Sequence, residues 1–180
     1  MSRSILVVGA GKSTSYLLDY FLEKSGEEDL KIIIGDKNPD GVPMALHKHP
    51  NAEVIPLDIT DADSRKARVK QADIVVSMLP ASLHLEIAMD CLEFEKNLVT
   101  ASYVSETMRQ LDPEVRQKGL IFMNEIGLDP GIDHMSAMEV IDRIKASGGK
   151  MLLFESFTGG LLSPESDTNL WNYKFTWNPR

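Results

Sequence analysis

The sequence predicts an α/β fold: a doubly wound parallel sheet, followed by the beginning of a second, incomplete α+β domain. Three observations predict it. Short runs rich in Val and Ile end at Gly or Asp, as strands buried on both faces of a parallel sheet do. These runs alternate with segments whose apolar residues recur at helical spacing. Beyond Gly149 the alternation stops and a turn-rich, aromatic segment begins.

The elements follow in order. Ile5 to Val8 is an apolar run that meets Gly9 and reads as the first strand. Leu17, Leu18, Phe21 and Leu22 mark the first helix. Lys31 to Ile34, ending at Gly35-Asp36, is the second strand, and Glu53 to Leu57, ending at Asp58, is the third. Between them Pro39, Gly41, Pro43 and Pro50 allow only short helix. A charged helix is expected over 62–71, a strand over 73–78 stopped by Pro80, and a helix over 82–94. Then come a strand over 98–100, a helix over 105–118, a strand over 120–123 and a helix over 132–147 that ends at Gly148-Gly149, a pair suited to a C-cap. Residues 151–157 read as a further strand, and Trp171, Tyr173, Phe175 and Trp177 alternate like a strand with one apolar face. The expected division is a domain over 1–149 and the start of a substrate and dimerisation domain over 150–180, truncated at this length.

Bulk properties narrow the function. The formal net charge of −8 over 180 residues argues against nucleic acid, which needs a basic footprint. No run approaches the ~18 apolar residues of a membrane span, and the N-terminal apolar run is too short for a signal peptide. The single cysteine, Cys91, excludes an intrachain disulfide and reads as a buried thiol on a helix. A reducing cytoplasm is the expected setting. His47, His49 and His84 lack metal-ligand spacing with Asp, Glu or Cys, so no metal is expected.

Gly9-Ala10-Gly11 lies directly after the first strand and opens the first helix, the place of the phosphate turn in a Rossmann-type dinucleotide fold. Gly9 permits the tight turn, and Gly11 lets a pyrophosphate approach the helix N-terminus. Thr14 stands where a third glycine is expected, so packing there must be looser or locally different. Gly11-Lys12-Ser13-Thr14 also looks like the end of a nucleoside-triphosphate loop. That motif needs a glycine at Leu6, which lies inside the strand, so the reading is rejected. Asp36, at the end of the second strand, is placed to hold the adenosine ribose, which favours NAD over NADP; Lys37 partly offsets this. The alternative is an exposed turn aspartate before Asn38-Pro39. Asp58 lies near the adenine or caps the next turn. Ser77 to Pro80 ends strand four beside the nicotinamide path.

Three later segments carry a family resemblance: Thr100 to Ser105; Met123-Asn124-Glu125-Ile126-Gly127-Leu128-Asp129-Pro130-Gly131-Ile132-Asp133-His134; and Gly159-Gly160-Leu161 with Pro164-Glu165-Ser166 and Tyr173 to Trp177. Together they closely resemble the saccharopine dehydrogenase (saccharopine reductase) family, from Ile5 to Arg180. The resemblance implies an oxidoreductase acting on CH–NH donors. It would use NAD or NADP to interconvert saccharopine with glutamate and 2-aminoadipate 6-semialdehyde in lysine metabolism. It also implies roles. Gly9, Gly11, Lys12 and Ser13 form the phosphate turn; Asp36 meets the ribose; Asp58 and Ile59 meet adenine; Leu79 lies along the cofactor. Ser102 and Tyr103 touch cofactor and substrate, and Leu128, Asp129 and Pro130 follow strand six with Asp129 against the substrate amines. Asn178 is a further cofactor contact. No residue is assigned as catalytic.

Simpler roles stand beside these: Ser102 as a loop cap, Tyr103 as a packed aromatic, Asp129-Pro130-Gly131 as a turn, Asp133 as a helix cap and His134 as a packing residue. Thr158 departs from relatives that carry cysteine there, and the family continues beyond this length. The alternatives left open are a dinucleotide-binding fragment without turnover, and a dehydrogenase of a related amino-acid or polyamine imine. A small amino-acid substrate is the expected partner, and a homodimer through the second domain is an open expectation.

Overall fold

A computed structural model describes residues 3–157, 159 and 162–174. Two compact units divide the chain, residues 1–138 and 139–180. The first holds a six-stranded sheet, β1 (Arg3–Val8), β2 (Leu30–Asp36), β3 (Ala52–Pro56), β4 (Ile74–Ser77), β5 (Asn97–Thr100) and β6 (Phe122–Met123), in the order β3-β2-β1-β4-β5-β6. Every strand pair is parallel. The helices are α1 (Ser15–Ser25), α2 (Met44–His47), α3 (Ala62–Gln71), α4 (His84–Glu93), α5 (Glu106–Arg109), α6 (Asp112–Gln117) and α7 (Ile132–Ala146).

The period-2 geometry of a strand sends alternate side chains to opposite faces. On β1, Leu6 and Val8 join Ile33, Val75, Ile87 and Leu98 on one face. Ile5 and Val7 join Ile32, Ile34, Leu18 and Leu22 on the other. Both faces are apolar because helices cover both, as expected of strands with no polar face.

Local signals set several helix ends. The Asp61 carboxylate accepts from the Ser64 N–H at 3.3 Å to cap α3, and the Ser105 hydroxyl accepts from the Met108 N–H at 3.1 Å to cap α5. Gly148, at φ +81°, closes α7, with its N–H on the Lys145 carbonyl and that of Gly149 on Ile144. A buried ion pair locks α3 to α4. Arg65 donates through Nε to Asp90 and through Nη1 to the Ile59 carbonyl.

Four expectations need correction. The helix expected over 105–118 is two short helices, because Pro113 has no N–H to donate to the Arg109 carbonyl. The helix expected from Ser82 begins as a 3-10 turn, Ala81–Leu83, and becomes α-helical at His84. Residues 151–157 form no strand: among the described residues no strand lies beside them to complete a ladder, and Leu152 and Phe157 are exposed. Residues 170–174 form no strand either, and Phe175 and Trp177 lie outside the described residues.

Candidate functional site

The strand order reverses between β1 and β4, and ligands of such sheets bind in the crevice at the carboxyl ends of the strands at that point. The turn after β1 lies there. Gly9 has φ +93°, and a Cβ on it would come within 3.0 Å of the Met78 carbonyl oxygen, so the position requires glycine. A Cβ on Gly11 would meet nothing within 4 Å. The space in front of Gly11, Lys12 and Ser13 is therefore open, and all three are exposed. Thr14 resolves the missing third glycine. It is fully buried, and its hydroxyl donates to the Gly9 carbonyl at 3.3 Å, while residues 12–14 form a 3-10 turn ahead of α1. The local difference is a tighter lead-in rather than looser packing.

Asp36 is tied to this turn. One carboxylate oxygen accepts from the Ala10 N–H at 2.7 Å and the other from the Asn38 N–H at 2.8 Å. A carboxylate has about four lone-pair sites, so about two remain for other donors. Beside it lies a cavity of about 210 Å³ bounded by Gly9, Asp36, Asp58, Ile59, Leu79 and Leu83. At its mouth the Lys37 ammonium sits 3.0 Å from the Asp58 carboxylate. The Thr60 hydroxyl and N–H, with Lys37, hold the Asp58 carboxyl down to about 2. Asp58 thus closes a local turn with Thr60 as well as facing the cavity. Of the two roles the sequence offers, the turn closure is seen in the Thr60 contacts, and the cavity beside Asp58 leaves room for the other.

The far end of the crevice is built from the ends of β5 and β6. The Thr100 hydroxyl donates to the Asn124 side-chain oxygen at 3.0 Å, and the Glu125 carboxylate accepts from the Val104 N–H at 3.0 Å. The loop after β6 folds on itself. The Gly127 N–H donates to the Pro130 carbonyl, and the Ile132 N–H to the Gly127 carbonyl. The Asp129–Pro130 peptide is cis. The Tyr103 hydroxyl donates to the Asp129 carboxylate at 3.0 Å, joining residues far apart in sequence. Donation to that carboxylate raises the Tyr103 pKa, so the phenol stays protonated. Leu128 is exposed and Pro130 buried. Ligand atoms of Asp129, Asp133 and His134 lie within 4.8 Å of one another, though exposed acidic clusters of this kind need no ion.

Sequence spacing excludes His84 only as a metal ligand and gives it no other role. It is buried at the start of α4, 2.8 Å from the Ser77 hydroxyl through Nδ1 and 2.8 Å from the Ser102 hydroxyl through Nε2. Burial lowers its pKa and keeps the ring neutral. Its position just beyond strand four was the signal available. Asn178 lies outside the described residues.

Cys91 is buried in α4, and burial pushes its thiol up to about 12. A thiolate is the reactive form. The native chain is therefore expected to release no colour from Ellman's reagent at pH 8, and to give one equivalent after denaturation; prompt reaction of native protein would show the helix packing to be wrong.

Comparison with known proteins agrees with this geometry. The family model described as the saccharopine dehydrogenase NADP binding domain matches residues 5–123, and that of the saccharopine dehydrogenase C-terminal domain matches residues 127–180. The chain is 33% identical over 180 residues to saccharopine dehydrogenase [NADP(+), L-glutamate-forming] of Saccharomyces cerevisiae, covering 100% of this chain and 40% of the relative. It is 35% identical over 178 residues to the mitochondrial alpha-aminoadipic semialdehyde synthase of Mus musculus, covering 98% of this chain and 19% of the relative. The solved structure of apo saccharopine dehydrogenase (L-Glu forming) from S. cerevisiae superposes with a TM-score of 0.80 at 33% identity, over 98% of this chain and 39% of that one. The chain thus spans about 40% or less of the length of these relatives. Among the described residues no helix is long and apolar enough to cross a membrane. A phosphate turn at the switch point, an acid tied to it and a family match that runs through both have one explanation: this chain belongs to the saccharopine dehydrogenase family and carries its NAD(P)-binding domain.

Proposed function

We propose that this chain is the cofactor-binding part of an oxidoreductase that interconverts saccharopine with glutamate and 2-aminoadipate 6-semialdehyde, working in a reducing cytoplasm. The observation that carries the reading is the 2.7 Å bond from the Ala10 N–H to Asp36, which holds an acid at a fixed place beside the phosphate turn. In this reading the N–H groups behind Gly9, Gly11, Lys12 and Ser13 hold the pyrophosphate, and Asp36 takes the ribose hydroxyls with its two remaining lone pairs. Ile59 and Asp58 border the adenine, and Leu79 lines the path toward β5. When bound, the nicotinamide accepts or returns the hydride. Ser102 and Tyr103 orient the reacting carbon, and the Asp129 carboxylate balances the charge of the substrate amine. Leu128 and Pro130 shape the wall behind it, and Asn178 is assigned a cofactor contact. The dinucleotide domain is taken as 1–149, and 150–180 begins the substrate domain.

The expected cofactor preference is NAD. The Asp36 carboxylate would face a 2′-phosphate, and the Lys37 charge that would offset it is already paired with Asp58. The NADP in the names of the yeast relative and the family model supports dinucleotide binding, while the residues at β2 favour NAD. Binding is expected in the micromolar range, roughly −8 kcal/mol, with NAD favoured about ten-fold, near 1.4 kcal/mol. Asp36→Ser should narrow or reverse the ratio. Paired calorimetric titrations with NAD and NADP at equal ionic strength decide it. No heat with either dinucleotide at millimolar concentration removes the cofactor reading; an unchanged ratio in Asp36→Ser removes Asp36 from the ribose.

A further inference from the structure

Ser77, His84 and Ser102 form a hydrogen-bonded row that leads from the core to the crevice, and its chemistry has a direction. Ser77 ends β4, paired on one side with Val8 and on the other with Thr100, and it is 0% exposed. Among the described residues its hydroxyl has one hydrogen-bond neighbour, Nδ1 of His84 at 2.8 Å. A neutral imidazole has one N–H and one bare nitrogen. Were Nδ1 to carry the proton, the Ser77 hydroxyl would accept it and its own hydrogen would point into the core with no acceptor. A buried donor left unmade costs about 1–3 kcal/mol. The arrangement that satisfies every group has Ser77 donating to a bare Nδ1. The proton is then on Nε2, which donates to the Ser102 oxygen at 2.8 Å.

Ser102 is the half-buried end of the row. Its oxygen receives the imidazole N–H, and no acceptor among the described residues takes its own hydrogen. Its hydroxyl hydrogen is therefore free for a ligand, and a hydroxyl that accepts a hydrogen bond donates a stronger one. A cavity of about 180 Å³ is lined by its hydrogen-bond partner His84, by its chain neighbour Tyr103 and by Asn124.

We propose that His84 is a positioning residue: through the row from Ser77 it fixes Ser102 as an outward hydrogen-bond donor to a carbonyl or carboxylate oxygen of the ligand at the end of β5. This rests on the dinucleotide reading above. Two ligand oxygens share the chemistry, the carboxamide of the nicotinamide and a carboxylate of the substrate, and the experiment separates them.

The experiment has two parts. Long-range ¹⁵N–¹H spectra of the wild-type chain, with and without NADH, report the His84 tautomer directly. The expected result is a proton on Nε2 in both states; a proton on Nδ1 overturns the proposal. The second part measures affinity for NADH, for ADP-ribose, which lacks the nicotinamide, and for saccharopine in NADH-saturated protein. Ser102→Ala and His84→Leu are each expected to weaken either NADH or saccharopine about ten-fold and to leave ADP-ribose unchanged. The ligand that responds identifies the oxygen. The double variant should be no worse than either single one, because one residue acts through the other. His84→Gln, which keeps an N–H toward Ser102, should restore most of the affinity. Equal weakening of ADP-ribose, or additive losses, would make His84 merely structural and overturn the proposal, as would ADP-ribose binding with neither NADH nor saccharopine responding. If wild type binds no dinucleotide, the cofactor reading fails; the tautomer still decides the row. If His84→Leu does not fold, the tautomer together with Ser102→Ala and His84→Gln decides it.

Discussion

Asp90→Ala is expected to remove about 3–5 kcal/mol of folding stability, because it strands a buried guanidinium without its anion. Arg65 and Asp90 are 6% and 2% exposed. Arg65 donates through Nε to Asp90 and through Nη1 to the Ile59 carbonyl, and among the described residues only the exposed Glu86, 3.4 Å from Nη2, offers another carboxylate. The charged pair itself need not be stabilising: the desolvation of both ions offsets much of their attraction. Two outcomes are therefore expected together. Asp90→Ala is severe, and the double replacement Arg65→Met with Asp90→Leu recovers much of the loss. Urea denaturation of the three variants checks this. A loss below about 1 kcal/mol for Asp90→Ala would mean that water or Glu86 reaches the site. The double variant should also lose adenosine affinity, since the Ile59 carbonyl is then no longer held beside the cavity.

Gly131→Ala is expected to be nearly as damaging, at about 3 kcal/mol, by a different route. Gly131 has φ +144°, and a Cβ there would lie 2.1 Å from the Gly127 carbonyl oxygen and 2.5 Å from its nitrogen. Both are backbone atoms in a loop that bonds to itself, so neither can turn aside as a side chain would. Gly127 is hemmed in too: its own Cβ would meet the Ala101 carbonyl oxygen at 2.8 Å. The substitution should displace Asp129 and break its bond with Tyr103, so the tyrosine titration should move back toward its ordinary value. Gly26→Ala is the control. Its backbone is right-handed helical, and a Cβ meets nothing within 4 Å. It should be neutral or stabilising by about 0.4–1 kcal/mol. Thermal melts that place Gly131→Ala beside Gly26→Ala would refute the closed-loop account.

The sheet was legible because its strands are apolar on both faces. Ile5 to Val8, Lys31 to Ile34 and the run ending at Ser77 are short, β-branched and bounded by Gly, Asp or Pro, and no other element type fits them. The charged helix expected over 62–71 has those bounds in the structure. The 105–118 segment was misread because apolar spacing continues through Pro113, and spacing does not register a missing N–H. Residues 151–157 look like a strand in sequence, but a strand exists only beside a partner.

The site was legible in part for the same reason. Gly9, Gly11 and Asp36 announce themselves, since backbone conformation and position at a strand end restrict which residues fit. The Tyr103–Asp129 contact rests on the path of the loop after β6, which local pattern does not encode. Thr14 was seen as a departure without its resolution, a hydroxyl on the Gly9 carbonyl. His84 and Ser77 were missed because their meaning lies in a row across three elements, and neither residue type at its own position points to the other.

The crevice at the switch point is assembled from residues at the ends of four of the six strands: Gly9 after β1, Asp36 at the end of β2, Ile59 after β3 and Leu79 after β4. No stretch of unfolded chain presents these groups together. A dinucleotide that engages them recognises the folded state alone, so mass action adds its binding free energy to folding. The gain is about 2.7 kcal/mol at a hundred times the dissociation constant. For a chain of this size that is a sizeable share of the total. Nucleotide supply then governs how long the sheet survives heat, proteases and chaperone triage. Part of the loss in substitutions such as Asp90→Ala is then offset wherever the cofactor is abundant.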